Sequence, residues 1–387
     1  MKILTVLLLI ICTAVCLLKC TDRRTASGDP RGSRYAGAAS CVQCHKNISD
    51  DYVHTSHFNT SAKVDAERFR KLIAALSDTV HFPNDQLVVL ETAHSKLVQS
   101  YLLNGRQERS EPLDVAFGSG EKAWTFAYWK DDQLFELPLT YLSAIKRWTN
   151  SPGFQKDRPN YTRPIVRRCF ECHSSYAYSE NSLAQGQYAV EQIKANTVLY
   201  GLDCERCHGP AAEHVTFHQD NPQEKKARNM VSIKALSRQQ QLDLCATCHS
   251  GDPVSLRSIF AFTPGDSLTN YYMYYPGSGK DPDAHGMQMQ SLMLSNCYQQ
   301  SSMTCMSCHD PHINERNKKE VFVQRCMSCH QQSTHAITMQ QGNNYCISCH
   351  MPLQASKSLD FNNSTEQSDL KYYLRTHRIA VYPETGK

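Results

Sequence analysis

The five-residue pattern Cys-x-x-Cys-His, two cysteines separated by two residues and followed directly by a histidine, occurs seven times in this sequence. The two thiols of such a pattern can add to the vinyl groups of a haem, and the histidine can then bind its iron. No Cys-x-x-Cys pair lacks its histidine, so the sequence predicts seven covalently bound haems, numbered here as motifs 1 to 7 in chain order. The predicted attachment residues are Cys41, Cys44, Cys169, Cys172, Cys204, Cys207, Cys245, Cys248, Cys305, Cys308, Cys326, Cys329, Cys346 and Cys349. The predicted proximal iron ligands are His45, His173, His208, His249, His309, His330 and His350.

Paired cysteines also build structural zinc sites and disulfide frameworks, but neither accounts for the histidines. A zinc site made from two pairs needs no histidine after each second cysteine, and seven pairs would leave one pair over. Disulfides leave the histidines equally unexplained. Haem attachment is therefore the interpretation that accounts for the whole pattern.

The composition indicates where such a chain works and what its interior contains. Eighteen cysteines in 387 residues are too many for a reduced bacterial cytosol, so the sequence predicts a periplasmic or cell-surface protein. Haem rings present large apolar faces, which we expect to replace part of an ordinary core. The predicted fold is therefore mostly α with low regular-structure content, a haem-cored cytochrome with a small antiparallel β insertion between motifs 1 and 2.

The formal charge of +4 is no indication of nucleic-acid binding, and no such partner is predicted. Each haem carries two propionates, so seven haems would bring the formal charge to about −10 before the iron is counted. Arg167 and Arg168, directly before motif 2, are candidates to neutralise propionates, with a solvated surface position as the alternative.

Residues 1–20 are predicted to be a secretory or lipoprotein signal, because a lysine precedes a charge-free apolar run. The run covers residues 3–18, fewer than the roughly 20 apolar residues of a membrane span. Cys20, with Cys16 as a second candidate, resembles the lipid-modified cysteine of bacterial lipoproteins. A plain cleaved signal or an uncleaved anchor are the alternatives. Residues 21–36 lack apolar periodicity and are predicted to be a flexible tether.

The chain between motifs 1 and 2 differs from the rest. A first haem segment is predicted over residues 37–80, with a helix over 64–76. Apolar runs separated by Asn104-Gly105 and Asp131-Asp132 predict a β-rich insertion over residues 81–150. Four aromatic residues are expected in its core rather than in a binding cage: Trp124, Phe126, Tyr128 and Trp129.

Residues 151–387 are predicted to form a six-haem domain in which short helices lead into the motifs. A capping box at Ser237 and Gln240 predicts a helix that runs into motif 4. A second helix is predicted over 284–299, with its methionines used for packing. Cys297 belongs to no motif and is expected to be a buried free thiol.

Ten histidines remain for the opposite face of seven irons, which favours bis-histidine ligation at most sites. The residues alone leave all ten open as candidates. They are His54, His57, His81, His94, His214, His218, His285, His312, His335 and His377.

Several blocks resemble multihaem cytochromes of the hydroxylamine oxidoreductase–related superfamily. The run Cys207-His208-Gly-Pro with His214, and the run Cys308-His309-Asp-Pro-His312, match blocks of those cytochromes. The opening block, residues 41–57, is similar to the first haem segment of the tetrahaem cytochrome that accepts electrons from hydroxylamine oxidoreductase. The residues around His377 resemble a C-terminal histidine element of the family.

The resemblance implies distal ligands that belong to haems attached elsewhere in the chain. It favours His57, His214, His312 and His377, with His285 and His335 as the next candidates. The seventh distal ligand stays open among His54, His81, His94 and His218.

The implied function is electron transfer by a heptahaem cytochrome of the cell envelope, held by a lipid anchor and working with redox partner proteins. Related pentahaem nitrite reductases carry a Cys-x-x-Cys-Lys motif, and octahaem hydroxylamine oxidoreductases carry an eighth haem; this chain has neither. No catalytic residue is therefore predicted. The alternative is a redox enzyme in which one five-coordinate iron converts nitrite, hydroxylamine or nitric oxide.

Overall fold

The computed structural model describes residues 28–65, 69, 79–182, 190–274, 280–330, 345–362 and 369–382. Helix and strand each account for 28% of the protein, which is a mixed α/β fold. The prediction of a mostly α fold is wrong. The prediction failed because antiparallel strand pairs occur throughout the described part of the chain, and not only between motifs 1 and 2.

The strands of the described residues, β1 to β18, pair in antiparallel fashion. They are β1 Ser61–Lys63, β2 Thr79–Phe82, β3 Gln86–Ala93, β4 Lys96–Leu103, β5 Arg106–Pro112, β6 Val115–Phe117, β7 Ala123–Lys130, β8 Gln133–Leu142, β9 Arg147–Asn150, β10 Pro164–Ile165, β11 Ser174–Tyr176, β12 Ser179–Ser182, β13 Val190–Ile193, β14 Leu199–Tyr200, β15 Val254–Ser255, β16 Tyr272–Met273, β17 Leu353–Asn362 and β18 Asp369–Arg375.

The helices are short and most of them lie close to a motif. They are α1 Ala38–Val42, α2 Lys46–Tyr52, α3 Arg167–His173, α4 Cys204–His208, α5 Ala212–Asp220, α6 Arg238–His249, α7 Gln288–Met293, α8 Asn296–Gln299, α9 Lys319–Met327 and α10 Tyr345–His350.

Strands β1 to β10 form one β unit of two sheets. One sheet is a meander in the order β2-β3-β4-β5, and the other has the order β1-β6-β7-β8-β10 with β9 also paired to β8. The predicted turns form as expected, because Asn104, Gly105 and Asp131 have the positive φ angles that tight hairpin turns require. The unit extends beyond the expected residues 81–150, since β1 and β10 complete its larger sheet.

The two sheets pack on each other through an apolar core of their own. Val88 and Leu90 of one sheet join Phe126, Tyr128 and Leu137 of the other in one buried cluster. The expectation for these aromatic residues is therefore confirmed, although Trp129 lies against a second cluster. The helix predicted over 64–76 falls largely outside the described residues.

The opposite face of the larger sheet holds motif 2. Phe117 of β6 meets the ring of Phe170 at 5.3 Å and the ring of His173 at 5.8 Å, both edge to face. Ile165 and Ala177 complete the same buried cluster. The β unit is thus packed against the haem-attachment region rather than held apart from it.

Of the two helices predicted near motifs 4 and 5, one forms as predicted and the other is divided in two. The capping box at Ser237 forms, and helix α6 runs into motif 4. The helix predicted over 284–299 is two helices, α7 and α8, that break at Ser295. Its buried hydroxyl donates to the carbonyl of His377 and accepts from the Ile379 N–H, a long-range contact that local propensity does not contain.

The segment before motif 1 is fixed to motif 3 by buried charges. The Arg31 guanidinium contacts Asp29, Asp203 and Glu205 at 2.9, 2.7 and 3.1 Å. Glu205 also accepts from the main-chain N–H of Gly37 at 2.9 Å. The prediction of a flexible tether therefore stands only for residues before Gly28. Those residues, including the predicted signal with its two candidate cysteines, lie outside the described part of the chain.

None of the described helices has the length and apolar character that crossing a membrane requires.

Candidate haem centres

Short helices present the paired cysteines of several motifs. Helices α3, α4, α6 and α10 each contain a complete motif at their C-terminal end. Cysteines three positions apart lie on the same side of a helical turn, and the histidine follows directly. Helix α4 is capped by the Asp203 side chain, which accepts from the Arg206 N–H at 2.9 Å.

Four proximal histidines each face a predicted distal histidine from a distant part of the chain. The ring centres of His45 and His214 are 6.5 Å apart, with planes at 18°. The other pairs are His208 with His312 at 5.9 Å and 22°, His309 with His377 at 6.2 Å and 32°, and His249 with His57 at 6.1 Å and 74°.

These separations match two imidazoles on opposite sides of one metal ion. A metal–imidazole bond of about 2 Å, plus about 1 Å from the nitrogen to the ring centre, puts two trans rings about 6 Å apart. The residues present therefore fit iron ligated by two histidines at motifs 1, 3, 4 and 5.

Burial keeps several of these histidines in the neutral form that can bind a metal. Burial lowers the pKa of His57 to about 4, with a smaller contribution from the charge of His249 opposite. Burial likewise lowers the pKa of His377 to about 4, helped by His309. Metal binding requires a neutral imidazole, so both rings are ready for an iron at neutral pH.

The Nδ1 atoms of three motif-region histidines have hydrogen-bond or ion-pair partners. The Nδ1 of His214 donates to the Arg228 carbonyl at 2.7 Å, and that of His350 donates to the Ala380 carbonyl at 2.9 Å. The Nδ1 of His312 lies 3.3 Å from an Asp310 carboxylate oxygen. Such partners fix the tautomer and the orientation of a metal-binding imidazole.

The motifs lie next to one another in space, but their spatial order differs from their order in the chain. The thiol of Cys41 in motif 1 lies beside Cys204 in motif 3. Cys172 in motif 2 lies beside Cys248 in motif 4. The other cysteine of motif 4 lies beside Cys305 in motif 5. Helix α6 therefore brings motif 4 next to both motif 2 and motif 5, as its packing on α3 and on the turn at Cys305–Ser307 also shows.

The remaining motifs continue this arrangement. Arg325, one residue before motif 6, donates to the carbonyl of Cys308 in motif 5 at 2.8 Å. Helix α9, which leads into motif 6, packs on α10, which contains motif 7. The seven motifs thus form one connected group.

Of the two next candidate distal ligands, one lies near a motif and the other lies outside the described residues. Burial lowers the pKa of His285; the charge of Asp283 opposes this, and the charge of His173 in motif 2 adds to it. The Nδ1 of His285 lies 3.3 Å from the Ser358 hydroxyl. His335 falls outside the described residues. The ring of His173 contacts Phe117, and within the described part of the chain no histidine ring pairs with it.

Within the described residues, none of the four histidines left open forms a facing pair with a proximal histidine. His81 lies on β2, and His94 has a φ of 49° in the turn between β3 and β4. His54 contributes its carbonyl, which accepts from the Asn314 amide at 3.0 Å. The ring of His218 lies 4.6 Å from the ring of His214, with the planes inclined at 54°.

The two arginines directly before motif 2 have protein partners, whereas Cys297 is a free cysteine. Arg168 donates to the Tyr272 hydroxyl at 2.6 Å, and Arg167 lies 3.9 Å from the carboxylate of Glu191. Neutralisation of propionates by either arginine stays a prediction. Cys297 is half-buried and unpaired by a disulfide.

Repeated Cys-x-x-Cys-His motifs held in one group, with histidines crossing from distant segments to face them, define a multihaem c-type cytochrome. Comparisons with known proteins agree. The family model described as cytochrome c554 and c-prime matches residues 143–209, which contain motifs 2 and 3.

A curated relative is the multiheme cytochrome MtrA of Shewanella baltica (strain OS185), 22% identical over 195 residues. The alignment covers 44% of this chain and 54% of the relative, so the chain spans about half the length of the curated relative it matches. No solved structure gives a significant match. The similarity supports covalently bound haem c and an extracytoplasmic location; the relation to hydroxylamine oxidoreductase stays an expectation.

Proposed function

We propose that the protein transfers electrons through seven haem c groups, most of them ligated by two histidines. The observation that carries this proposal is the set of four facing histidine pairs at motifs 1, 3, 4 and 5. Bound haem would supply a one-electron couple at each site. The chain would hold each group by two thioethers and two imidazoles, which leaves no open position for a substrate.

The assignments proposed at the paired sites are His214 for motif 1, His312 for motif 3, His57 for motif 4 and His377 for motif 5. For motif 2 we propose His285, because it is buried and close enough to His173 for the charge of His173 to act on it. His335 stays a candidate for motif 6 or 7.

The packing of the motifs supports a branched order of sites. Motif 4 lies beside motifs 2 and 5, and its Cys248 also lies near Cys207 of motif 3. Motif 4 would therefore be the junction between the motif 1–motif 3 pair, motif 2 and the series of motifs 5, 6 and 7.

The haem count is tested by the intact mass of the purified, denatured protein. Seven attached haems are expected, because all seven motifs are complete. Four or fewer haems, or zinc in their place, would rule out the proposal.

The alternative, a redox enzyme with one open iron, draws its support from motifs 2, 6 and 7, whose proximal histidines have no facing histidine within the described residues. Binding of nitric oxide or cyanide to the unmutated protein separates the two functions. A strong high-spin haem signal that either ligand abolishes would favour the enzyme.

We also propose secretion across the inner membrane, a lipid anchor at Cys20 or Cys16, and redox partner proteins in the cell envelope. Metabolic labelling with a fatty-acid analogue tests the anchor. Loss of label in Cys20→Ser is expected, and unchanged label would point to Cys16.

A further inference from the structure

The segment after helix α5 folds back onto that helix beside motif 1. The Asn221 N–H donates to the Phe217 carbonyl at 2.9 Å, and the Glu224 N–H donates to the Asn221 carbonyl at 3.0 Å. Glu224 then holds the Arg228 guanidinium at 3.3 Å. These contacts return the main chain of Arg228 to the surface of α5.

Arg228 contacts two histidines that lie one turn apart on α5. Its carbonyl oxygen is 2.7 Å from the Nδ1 of His214, and its N–H donates to the Nε2 of His218 at 3.3 Å. The two rings are 4.6 Å apart and inclined at 54°. One residue of the loop thus joins both imidazoles.

The chemistry of these groups fixes both tautomers. A carbonyl can only accept, so His214 is protonated at Nδ1 and its Nε2 is free for an iron opposite His45. A main-chain N–H can only donate, so Nε2 of His218 is an acceptor and is already occupied. His218 is therefore unsuited to be the seventh distal ligand, although its sequence position left that role open.

We infer that His218 is a positioning residue for the motif 1 centre; this inference rests on the proposed ligation of that centre by His214. By holding the Arg228 N–H, His218 keeps the Arg228 carbonyl on the Nδ1 of His214. That hydrogen bond orients the ring and makes it a more basic ligand, which stabilises oxidised iron. His218 thereby keeps the potential of this centre low.

Three substitutions separate the hydrogen bond of His218 from its ring. His218→Ala removes both, His218→Phe keeps a ring against His214 but has no acceptor, and His218→Gln restores an acceptor near the position of Nε2. His81→Ala, at an exposed histidine in the β unit, is the matched control. Each variant is measured as the complete haem-loaded protein by redox titration and by electron paramagnetic resonance of the oxidised form.

The expected result is an upward shift in the potential of one haem component, with a shifted low-spin signal, in His218→Ala and His218→Phe. His218→Gln should return both readouts toward the unmutated protein, and His81→Ala should leave them unchanged. If Ala and Phe variants match the His81→Ala control, the inference is wrong. If His218→Ala does not fold, the Phe and Gln variants decide between the outcomes.

His214→Ala distinguishes this inference from the proposed function beneath it. It should add one high-spin haem, because it removes the ligand itself. An unchanged spectrum in His214→Ala would overturn the ligation of motif 1. A high-spin haem there, with no effect of the His218 substitutions, would overturn only the role of His218.

Discussion

The β unit and the motif-bearing region are stabilised in different ways. In the β unit, two sheets bury Val88, Leu137 and Phe126 against one another, and the core needs no cofactor. In the motif region most helices are only five to nine residues long, and helix α5 contains no buried residue. Isolated helices of that length are marginal in water, so their stability must come from what packs between them. The motif region has a smaller side-chain cluster around Ile259 and Tyr271, and bound haem would supply the rest of its core.

The largest expected effect is on a chain produced without haem attachment. The motif region should lose its tertiary structure, whereas the β unit should keep its sheets because its core is made of side chains. Limited proteolysis followed by mass spectrometry should yield a resistant fragment close to residues 61–165. Equal digestion of both regions would show that the β unit depends on the motif region after all.

A second test removes one buried charge from the motif side. Arg31→Ala leaves Glu205, which is fully buried, without its cation. Loss of one partner from a buried ion pair costs about 3–5 kcal/mol. Denaturant unfolding of the haem-loaded protein measures the change. Lys46→Ala is the control, because its pair with Asp50 is exposed and contributes less than about 0.5 kcal/mol.

A matching test removes core volume from the β side. Phe126→Ala should destabilise the β unit by about 3–5 kcal/mol, because a large buried ring leaves a cavity. The haem absorption and spin state should stay as they are. A changed haem spectrum in this variant would mean that the two regions are less independent than their cores indicate.

A local effect is expected when one facing histidine is removed. His312→Ala and His377→Ala should each convert one haem to the high-spin state, since each removes one of the two imidazoles proposed to hold that haem. Electron paramagnetic resonance of the oxidised protein measures the new species. His94→Ala, in a turn of the β unit, should add none. If neither ligand variant alters the spectrum, the facing pairs do not report ligation.

The smallest effect concerns pH and a single carboxylate of the motif region. Burial alone would raise the pKa of Asp283, but hydrogen bonds from Ser358 and from the main-chain N–H groups of His285 and Lys357 lower it to about 2. A folded-state pKa below the ordinary value of 3.8 means that the stabilisation is present above pH 4 and is lost as the pH falls from 4 to 2. The stability difference between the unmutated protein and Asp283→Asn should therefore shrink over that window. A constant difference would contradict the assignment.

Local chemistry could be predicted from the sequence, and long-range pairing could not. The capping box at Ser237 and the turn at Asn104-Gly105 involve neighbours in the chain, so residue type and spacing suffice. At the break between α7 and α8, the Ser295 hydroxyl accepts a hydrogen bond from the Ile379 N–H, 84 positions away, and no local pattern contains that contact. The pairing of β17 with β18 was not predicted for a different reason: polar and apolar residues alternate poorly along these two strands.

The candidate site shows the same division. The sequence contexts of the histidines, through their resemblance to the family, predicted His57, His214, His312 and His377 as distal ligands. They did not predict which motif each of these histidines faces. Those partnerships depend on which helices pack together, as when α4 of motif 3 lies against α1 of motif 1. The hydrogen bond from His214 to the Arg228 carbonyl was also invisible, because a main-chain acceptor can be supplied by any residue type.

The buried contacts of Arg31 have a consequence for how the protein matures. Arg31 and Asp203 are 172 positions apart, so the ribosome finishes motif 1 long before it makes the residues that hold motif 1 in place. His214, the partner of His45, is synthesised later still. A chain that crosses the membrane from its N-terminus would therefore expose motif 1 before Asp203 and His214 have followed. Thioether formation at motif 1 would need only its own two cysteines, whereas its final ligand geometry would wait for those two distant residues.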